Sequence, residues 1–259
     1  MKSVRTAIRV FETVAARQPI GLSELSRHLG VPKPSVQRAL ETLHGAGWLR
    51  RDVADPGRWL VSARFAVLAD TAPAVVAARE AARPHLRALH DETGLSVGLF
   101  VLDGAHIAYV AGGHPEKLRA VELAFGPLPV HVSAAGRAIL SRLPVRTRRE
   151  VLDRSLRRYT DASLTDPEAV LAAVARAERD GYAVVTGEYR ADTHAVAAPV
   201  LDRLGMPVAA VAVFTTLATT GRFGRREAAD LGRRAVACAG AIGDELAAPS
   251  ALAGAVAAD

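Results

Sequence analysis

The sequence predicts an α+β protein of 259 residues: an N-terminal winged helix-turn-helix module, a linker helix, and a C-terminal domain with helices packed on an antiparallel sheet. Three observations carry that prediction. Residues 1–64 hold eleven Lys and Arg against five Asp and Glu, whereas the remaining 195 hold twenty-two of each, so all of the net charge of +6 lies in the first quarter. Such asymmetry marks a module that meets a polyanion. Within it, two short amphipathic runs are separated by Gly30-Val31-Pro32 and followed by a basic hairpin. Beyond residue 84 the pattern changes to alternating strands and helices.

Composition narrows the class. Half of the residues are hydrophobic but only 5% are aromatic, so the core is built from Ala, Val and Leu. No apolar run approaches the roughly 18–20 residues of a membrane span. The start, MKSVRTAIRV, lacks the apolar centre of a secretory signal. One cysteine cannot make a disulfide framework or a metal knot. A cytoplasmic protein without a cofactor, a metal or a membrane partner is expected.

In chain order, Val4, Ile8, Phe11 and Ala15 predict one buried stripe on a first helix, ended by Pro19, Ile20 and Gly21. Leu22, Leu25 and Leu29 form the stripe of a second, with Ser23 as its N-cap and Glu24 in the first turn, where a carboxylate suits the helix dipole. Gly30 stops it. Pro34 drives Lys33 toward extended backbone and fits the first position of a third helix. There Val36, Ala39, Leu40 and Leu43 face inward. Pro34, Arg38 and Glu41 lie opposite, flanked by Ser35 and Gln37. Arg can bond guanine edges or phosphates, and Gln can bond adenine edges. Trp48–Asp52 and Trp59–Val61 read as strands around an Asp55-Pro56-Gly57 turn, with Arg50, Arg51 and Arg58 beside it. The DNA-contacting candidates are Lys33, Ser35, Gln37, Arg38, Arg51 and Arg58.

Residues 64–83 read as a connecting helix interrupted at Pro73. Leu95–Leu102 and His106–Ala111 form a hairpin about Asp103-Gly104, and Leu118–Phe125 a further strand. Ser133–Leu143 and Pro167–Asp180 are helical. Tyr182–Thr186, His194–Val200 and Val208–Phe214 are strands, and Arg225–Leu246 is a closing helix.

At this point the chain resembles the IclR family of bacterial transcription regulators along nearly its whole length. "PKPSVQRAL" looks like the family's recognition helix, including Ser35 and Arg38. "EAARPHLRALHDETG" is similar to the entry into its sensor domain, and "PLPVHVSAAGRAIL" (127–140) to its best-known internal motif. "RDGYAVVTGEYRADTHAVAAPVLDRLGMPVAAVAVF" (179–214) matches its closing strands. The resemblance implies a homodimer joined through the winged-helix modules, with dimers pairing into tetramers, and a GAF-like domain in which a small-molecule effector alters binding to double-stranded operator DNA. It also implies an effector pocket between the "HVSAAGRA" segment and the late strands, which nominates His131, Ser133, Ala134, Gly136, Val185, Asp192, Ala195, Ala212 and Phe214. The family often has Gly, Cys, Ser and Ser where this chain has Asp192, Ala195, Ala212 and Phe214. Members that sense small hydrophilic acids tend to have Asp at the position of Val185. Here the wall has few hydrogen-bond donors, so an apolar or aromatic effector is expected, because unpaired ligand oxygens would be costly. Asp192 either faces the pocket, selecting a donor, or faces solvent.

The expected domains are 1–63, winged helix-turn-helix; 64–83, linker helix; 84–249, effector-binding domain; and 250–259, a disordered tail. A repressor is the first expectation. Two other readings stay open: a DNA-binding oligomer with no effector, and an enzyme carrying a DNA-binding appendage. Against the enzyme, Cys238 sits mid-helix among alanines, His85 and His90 lack companions at metal spacing, and no Gly-rich phosphate loop is present.

Overall fold

The first helix, α1 (Lys2–Arg17), buries Val10 and Val14, with Ala7 and Phe11 partly buried beside them. The protein is described here by a computed structural model covering residues 2–69, 73–112, 128–153, 156–220 and 223–247. The predicted stripe on α1 is rotated. Val4 is 63% and Ile8 53% exposed, because α3 and the hairpin pack on the Val10–Val14 face.

Ile20 and Gly21 form a short strand, β1, paired with Trp59 and Arg58. That pairing makes Gly21 the N-cap of α2 (Leu22–Leu29), so Ser23, the predicted cap, lies inside the helix and no side chain caps it. Gly30 closes α2 at φ 63°, its N–H bonded to the Ser26 carbonyl, a left-handed conformation that glycine adopts without strain. Ser26 Oγ donates to the Val31 carbonyl at 2.7 Å and fixes the turn. α3 (Lys33–Gly45) starts one residue earlier than predicted, with Pro32 as N-cap. Lys33 is helical despite Pro34, since proline disfavours helix before it without forbidding it. In the first turn Pro34 has no backbone bond to forfeit.

Two strands, β2 (Leu49–Arg51) and β3 (Arg58–Val61), complete a sheet of order β1-β3-β2. Leu25, Val36, Leu40, Leu49 and Trp59 meet the α1 residues in one core. A short helix, α4 (Arg64–Ala69), follows.

The chain divides into two compact units between Pro73 and Ala74. Of the predicted 64–83 helix, residues 64–69 lie in α4 and residues 73–83 in a second helix. The second, α5 (Pro73–Thr93), runs through Pro84 and ten residues past the expected end. Ala82 and Leu86, on either side of Pro84, are completely buried. Burial of that face outweighs the one backbone bond proline removes.

The C-terminal sheet contains β4 (Ser96–Asp103), β5 (His106–Gly112), β6 (Leu128–Pro129), β7 (Ala183–Thr186), β8 (Thr193–Leu201) and β9 (Pro207–Thr216). Their order is β6-β5-β4-β9-β8-β7 and every pair is antiparallel. A 3-10 turn (Val130–Val132) leads into α6 (Ala134–Leu140). α7 (Val145–Leu152), α8 (Pro167–Asp180), the single turn α9 (Leu217–Thr220) and α10 (Arg225–Ala247) complete the fold. One sheet face packs α5 and α10 through Leu86, Leu99, Val211, Val213 and Ile242; the other packs α6 and α8 through Ala134, Ala138, Val174, Ala197 and Ala212. The predicted strand 118–125 and the tail 250–259 lie outside the described residues.

Candidate functional site

In the N-terminal unit, α3 presents the predicted polar face. Arg38 and Lys33 are exposed, Ser35 is half-buried, and Val36, Ala39 and Leu40 are buried. Arg38 has no side-chain partner among the described residues. Gln37 Nε2 donates to Glu41 Oε1 at 2.6 Å, so its amide is held along the helix. The structure engages both wing arginines. Arg51 donates to the Pro56 carbonyl at 2.7 Å, with its guanidinium 4.2 Å from the Trp59 ring centroid. Arg58 donates to the Pro19 carbonyl at 2.6 Å and lies 3.8 Å from Glu24 and 3.5 Å from Asp55. They tie the hairpin to its own turn and to the segment before α2. Arg50, which carries no predicted role as a contact, is exposed and has no carboxylate partner among the described residues.

In the C-terminal unit, strand register assembles the predicted wall. Val185, Ala195 and Phe214 stand in one row across β7, β8 and β9. Ala183, Ala197, Ala212 and Gly98 form the next, and Pro199, Ala210, Phe100 and Tyr109 a third. Ala195, Ala197, Ala210, Ala212 and Val185 are buried and Phe214 partly so. Phe100 stacks edge-on against Phe214 (5.6 Å) and Tyr109 (5.7 Å). Phe100 and Tyr109 are additions to the predicted set. Their signal was available: every second residue of β4 faces the same side as Gly98.

The "HVSAAGRA" segment closes over this wall. Ser133 Oγ caps α6, accepting from Gly136 N at 3.0 Å. Gly136 admits the 3-10 turn: a Cβ there would lie 2.6 Å from Val130 Cα. His131 is buried, and its Nε2–H donates to the Arg157 carbonyl at 3.0 Å. That tautomer leaves Nδ1 as an acceptor. Arg137 and Glu188 form a buried ion pair, 2.7 Å on one side, with side chains 3% and 10% exposed. Arg137 also donates to the His131 carbonyl. A lone arginine inside Ser-Ala-Ala-Gly-Arg-Ala-Ile-Leu signals a buried partner, because an unpaired interior charge is prohibitive. Asp192 stands apart. It is exposed in the turn before β8, and Arg190 and Thr193 hold its carboxyl below the ordinary range.

Burial holds the imidazoles of His131 and His194 below their ordinary value. His194 is 5% exposed and stacked on Phe223 (4.7 Å, 11°), and neither ring nitrogen has a partner among the described residues. Both groups bind protons less readily folded than unfolded. The stability they contribute is present above the ordinary value of about 6.5 and is lost as pH falls through the depressed folded values. The melting temperature is therefore expected to drop between pH 7 and pH 5, and to drop less in His194→Leu. Equal acid sensitivity in that variant would show that His194 is not a source of it.

Two family models match this chain: the IclR helix-turn-helix domain over residues 3–53 and the bacterial transcriptional regulator IclR C-terminal domain over residues 74–244. The chain belongs to the IclR family of DNA-binding transcriptional regulators. The Pca regulon regulatory protein of Pseudomonas putida is 27% identical to this IclR regulator over 237 residues, 88% of this chain and 77% of that protein. The transcriptional repressor IclR of Escherichia coli is 25% identical over 218 residues, 82% and 79% of the two chains. An IclR homologue from Microbacterium hydrocarbonoxydans, solved with 4-hydroxybenzoate, shares the fold with a TM-score of 0.68 at 23% identity, covering 94% of this chain and 98% of that one.

Proposed function

We propose that this regulator is an operator-binding protein, a repressor in the first instance, whose DNA affinity is set by a small apolar or aromatic metabolite bound between the 130–137 segment and the β7-β8-β9 wall. The observation that carries the reading is the wall itself. Val185, Ala195, Ala197, Ala212 and Phe214 offer no side-chain hydrogen bond. Burial of apolar ligand surface, at roughly 25 cal/mol per Å², would supply the affinity there. The 4-hydroxybenzoate held by the Microbacterium homologue agrees with a ring-bearing ligand.

On the DNA side, Lys33, Ser35, Gln37 and Arg38 enter the groove from α3, and Arg50 adds the wing's free charge. Arg51 and Arg58 act through placement of the wing. The apolar residues left uncovered on α1 and α4, Val4, Ile8, Phe65 (44% exposed) and Val67 (69%), form the homodimer face. No chemistry is assigned. Burial pushes the Cys238 thiol up to about 12, which keeps it protonated and a poor nucleophile.

Native mass spectrometry and operator gel shifts test the reading together. An aromatic metabolite is expected to add its mass to the dimer and to change operator affinity by about 5–150-fold, the usual span of allosteric coupling. Tight binding of glyoxylate-sized acids with no binding of aromatic compounds would overturn the apolar wall. Operator binding indifferent to every ligand would leave a regulator without an effector.

A further inference from the structure

The helix-turn-helix match ends at residue 53, yet α3 is fastened from beyond it. At the end of α3 the backbone turns through Ala46 (φ −80°, ψ −3°) and Gly47 (φ 78°). The N–H groups of Ala46, Gly47 and Trp48 bond back to the carbonyls of Thr42 (3.0 Å), His44 (2.9 Å) and Leu43 (2.8 Å). The carbonyls of the same three residues are all taken by one short segment, Ser62–Arg64. Arg64 Nη1 donates to the Ala46 carbonyl at 3.0 Å, Ser62 Oγ to that of Gly47, and the Ser62 N–H to that of Trp48 at 2.9 Å.

Side chains reinforce this tie. The Arg64 guanidinium stands 5.9 Å from the Trp48 ring centroid, within the range of a cation–π contact. A Cβ on Gly47 would come 3.2 Å from Arg64 Nη1. Phe65, the next residue of α4, lies 5.5 Å from Phe11 and 6.4 Å from Trp48, and Phe11 meets Trp48 edge-on at 5.9 Å. Rings from α1, from the segment after α3 and from α4 thus form one cluster.

Arg64 suits its place on charge as well as geometry, since the helix dipole favours a cation at a C-terminal end. It is one of the eleven basic residues in the first 64 and is exposed. Unlike Arg38, it is engaged by the protein itself.

We propose that Ser62 and Arg64 are positioning residues for operator recognition. They lock the end of α3 to the start of α4, the last element before the boundary at Pro73, so that α3 keeps its groove-reading angle only while α4 is docked. The apparent affinity then follows the fraction of molecules in which the tie is made. The proposal rests on the reading that α3 enters the groove, and adds residues outside the helix-turn-helix that decide how well it does so.

Gel-shift titration of the full chain tests the tie, with a duplex selected by the wild type from a random pool and with poly(dI-dC). Arg64→Gln is expected to bind the selected duplex about fivefold more weakly, one hydrogen bond's worth. Its affinity for poly(dI-dC) should stay within about twofold of wild type, with the salt slope intact. Arg64→Lys keeps the cation and a donor and should recover most of the loss, and Ser62→Ala should reproduce it. Acrylamide should quench Trp48 more readily in Arg64→Gln, against the constant background of Trp59, which is 1% exposed. Equal weakening on both DNAs with about 0.9 of slope lost would make Arg64 a phosphate contact and overturn the tie. A lower melting temperature with both affinities unchanged would make its role purely structural, and overturns the tie as well. Arg38→Ala, run alongside, separates the two readings. No loss there removes α3 from the groove, whereas loss there without loss in Arg64→Gln overturns the tie alone.

Discussion

Glu188→Ala is expected to destabilise the C-terminal unit by about 3–5 kcal/mol, the usual consequence of stranding one partner of a buried ion pair. Arg137 is 3% exposed, so its charge could not reach water without opening the fold. The loss would extend past the pair. Arg137 holds the His131 carbonyl, and Glu188 also receives the Leu164 N–H at 3.5 Å. Both the 130–137 segment and the segment leading into α8 would lose an anchor. Arg137→Met combined with Glu188→Leu should recover much of the stability, since two apolar side chains leave no orphan charge. Urea denaturation followed by circular dichroism measures both variants. A loss below about 1 kcal/mol in Glu188→Ala would mean that water relieves the stranded guanidinium.

Arg38→Ala is expected to weaken specific operator binding by about 1–3 kcal/mol, with the thermal stability of the protein unchanged. Its guanidinium makes no hydrogen bond or ion pair among the described residues, on the helix face opposite Val36 and Leu40. The same gel-shift titrations, run at several salt concentrations, separate contact from placement in the wing. Arg50→Gln should lower the slope of log affinity against log salt by about 0.9, one phosphate's worth. Arg58→Gln should weaken binding to every sequence with the slope intact, since its guanidinium is occupied by Pro19, Glu24 and Asp55. Unaltered operator affinity in Arg38→Ala would remove α3 from the groove, and a full unit of slope lost in Arg58→Gln would return that residue to the phosphates.

Periodicity and turn chemistry made most elements legible: the α2–α3 turn at Gly30, the hairpin about Asp55-Pro56-Gly57, and the alternation of β8 and β9. The misreadings share a cause. Val4 and Ile8 fit a helical stripe, yet only tertiary packing decides which of two adjoining apolar faces of α1 is covered. Ser23 is a good cap, but a two-residue strand pairing with Trp59 starts the helix earlier, and such pairing is non-local. Arg83-Pro84 looks like a boundary until the buried face of α5 is known. The wall residues came from the family resemblance, and strand pairing puts Val185, Ala195 and Phe214 in one row and Ala197 and Ala212 in the next. No sequence signal marks the Tyr159–Tyr189 ring contact, which joins two irregular segments thirty residues apart that carry no period.

The alanine rows of β8 and β9 also bear on how such a protein changes over generations. Ala195, Ala197, Ala210 and Ala212 stand at adjacent register positions with one carbon atom each. On the effector reading proposed above, adding a single hydroxyl, sulfur or methyl group at one of them would alter what the wall offers a ligand, while strand pairing, which is made by the backbone, is untouched. Larger residues would have to be removed before they could be replaced, leaving a cavity in between. Because these alanines are buried, each added atom would also cost about 1–3 kcal/mol of overpacking unless the facing helices shift. On that reading the scaffold could be steered from one ligand chemistry to another by steps smaller than the cavity that truncating a large residue would leave.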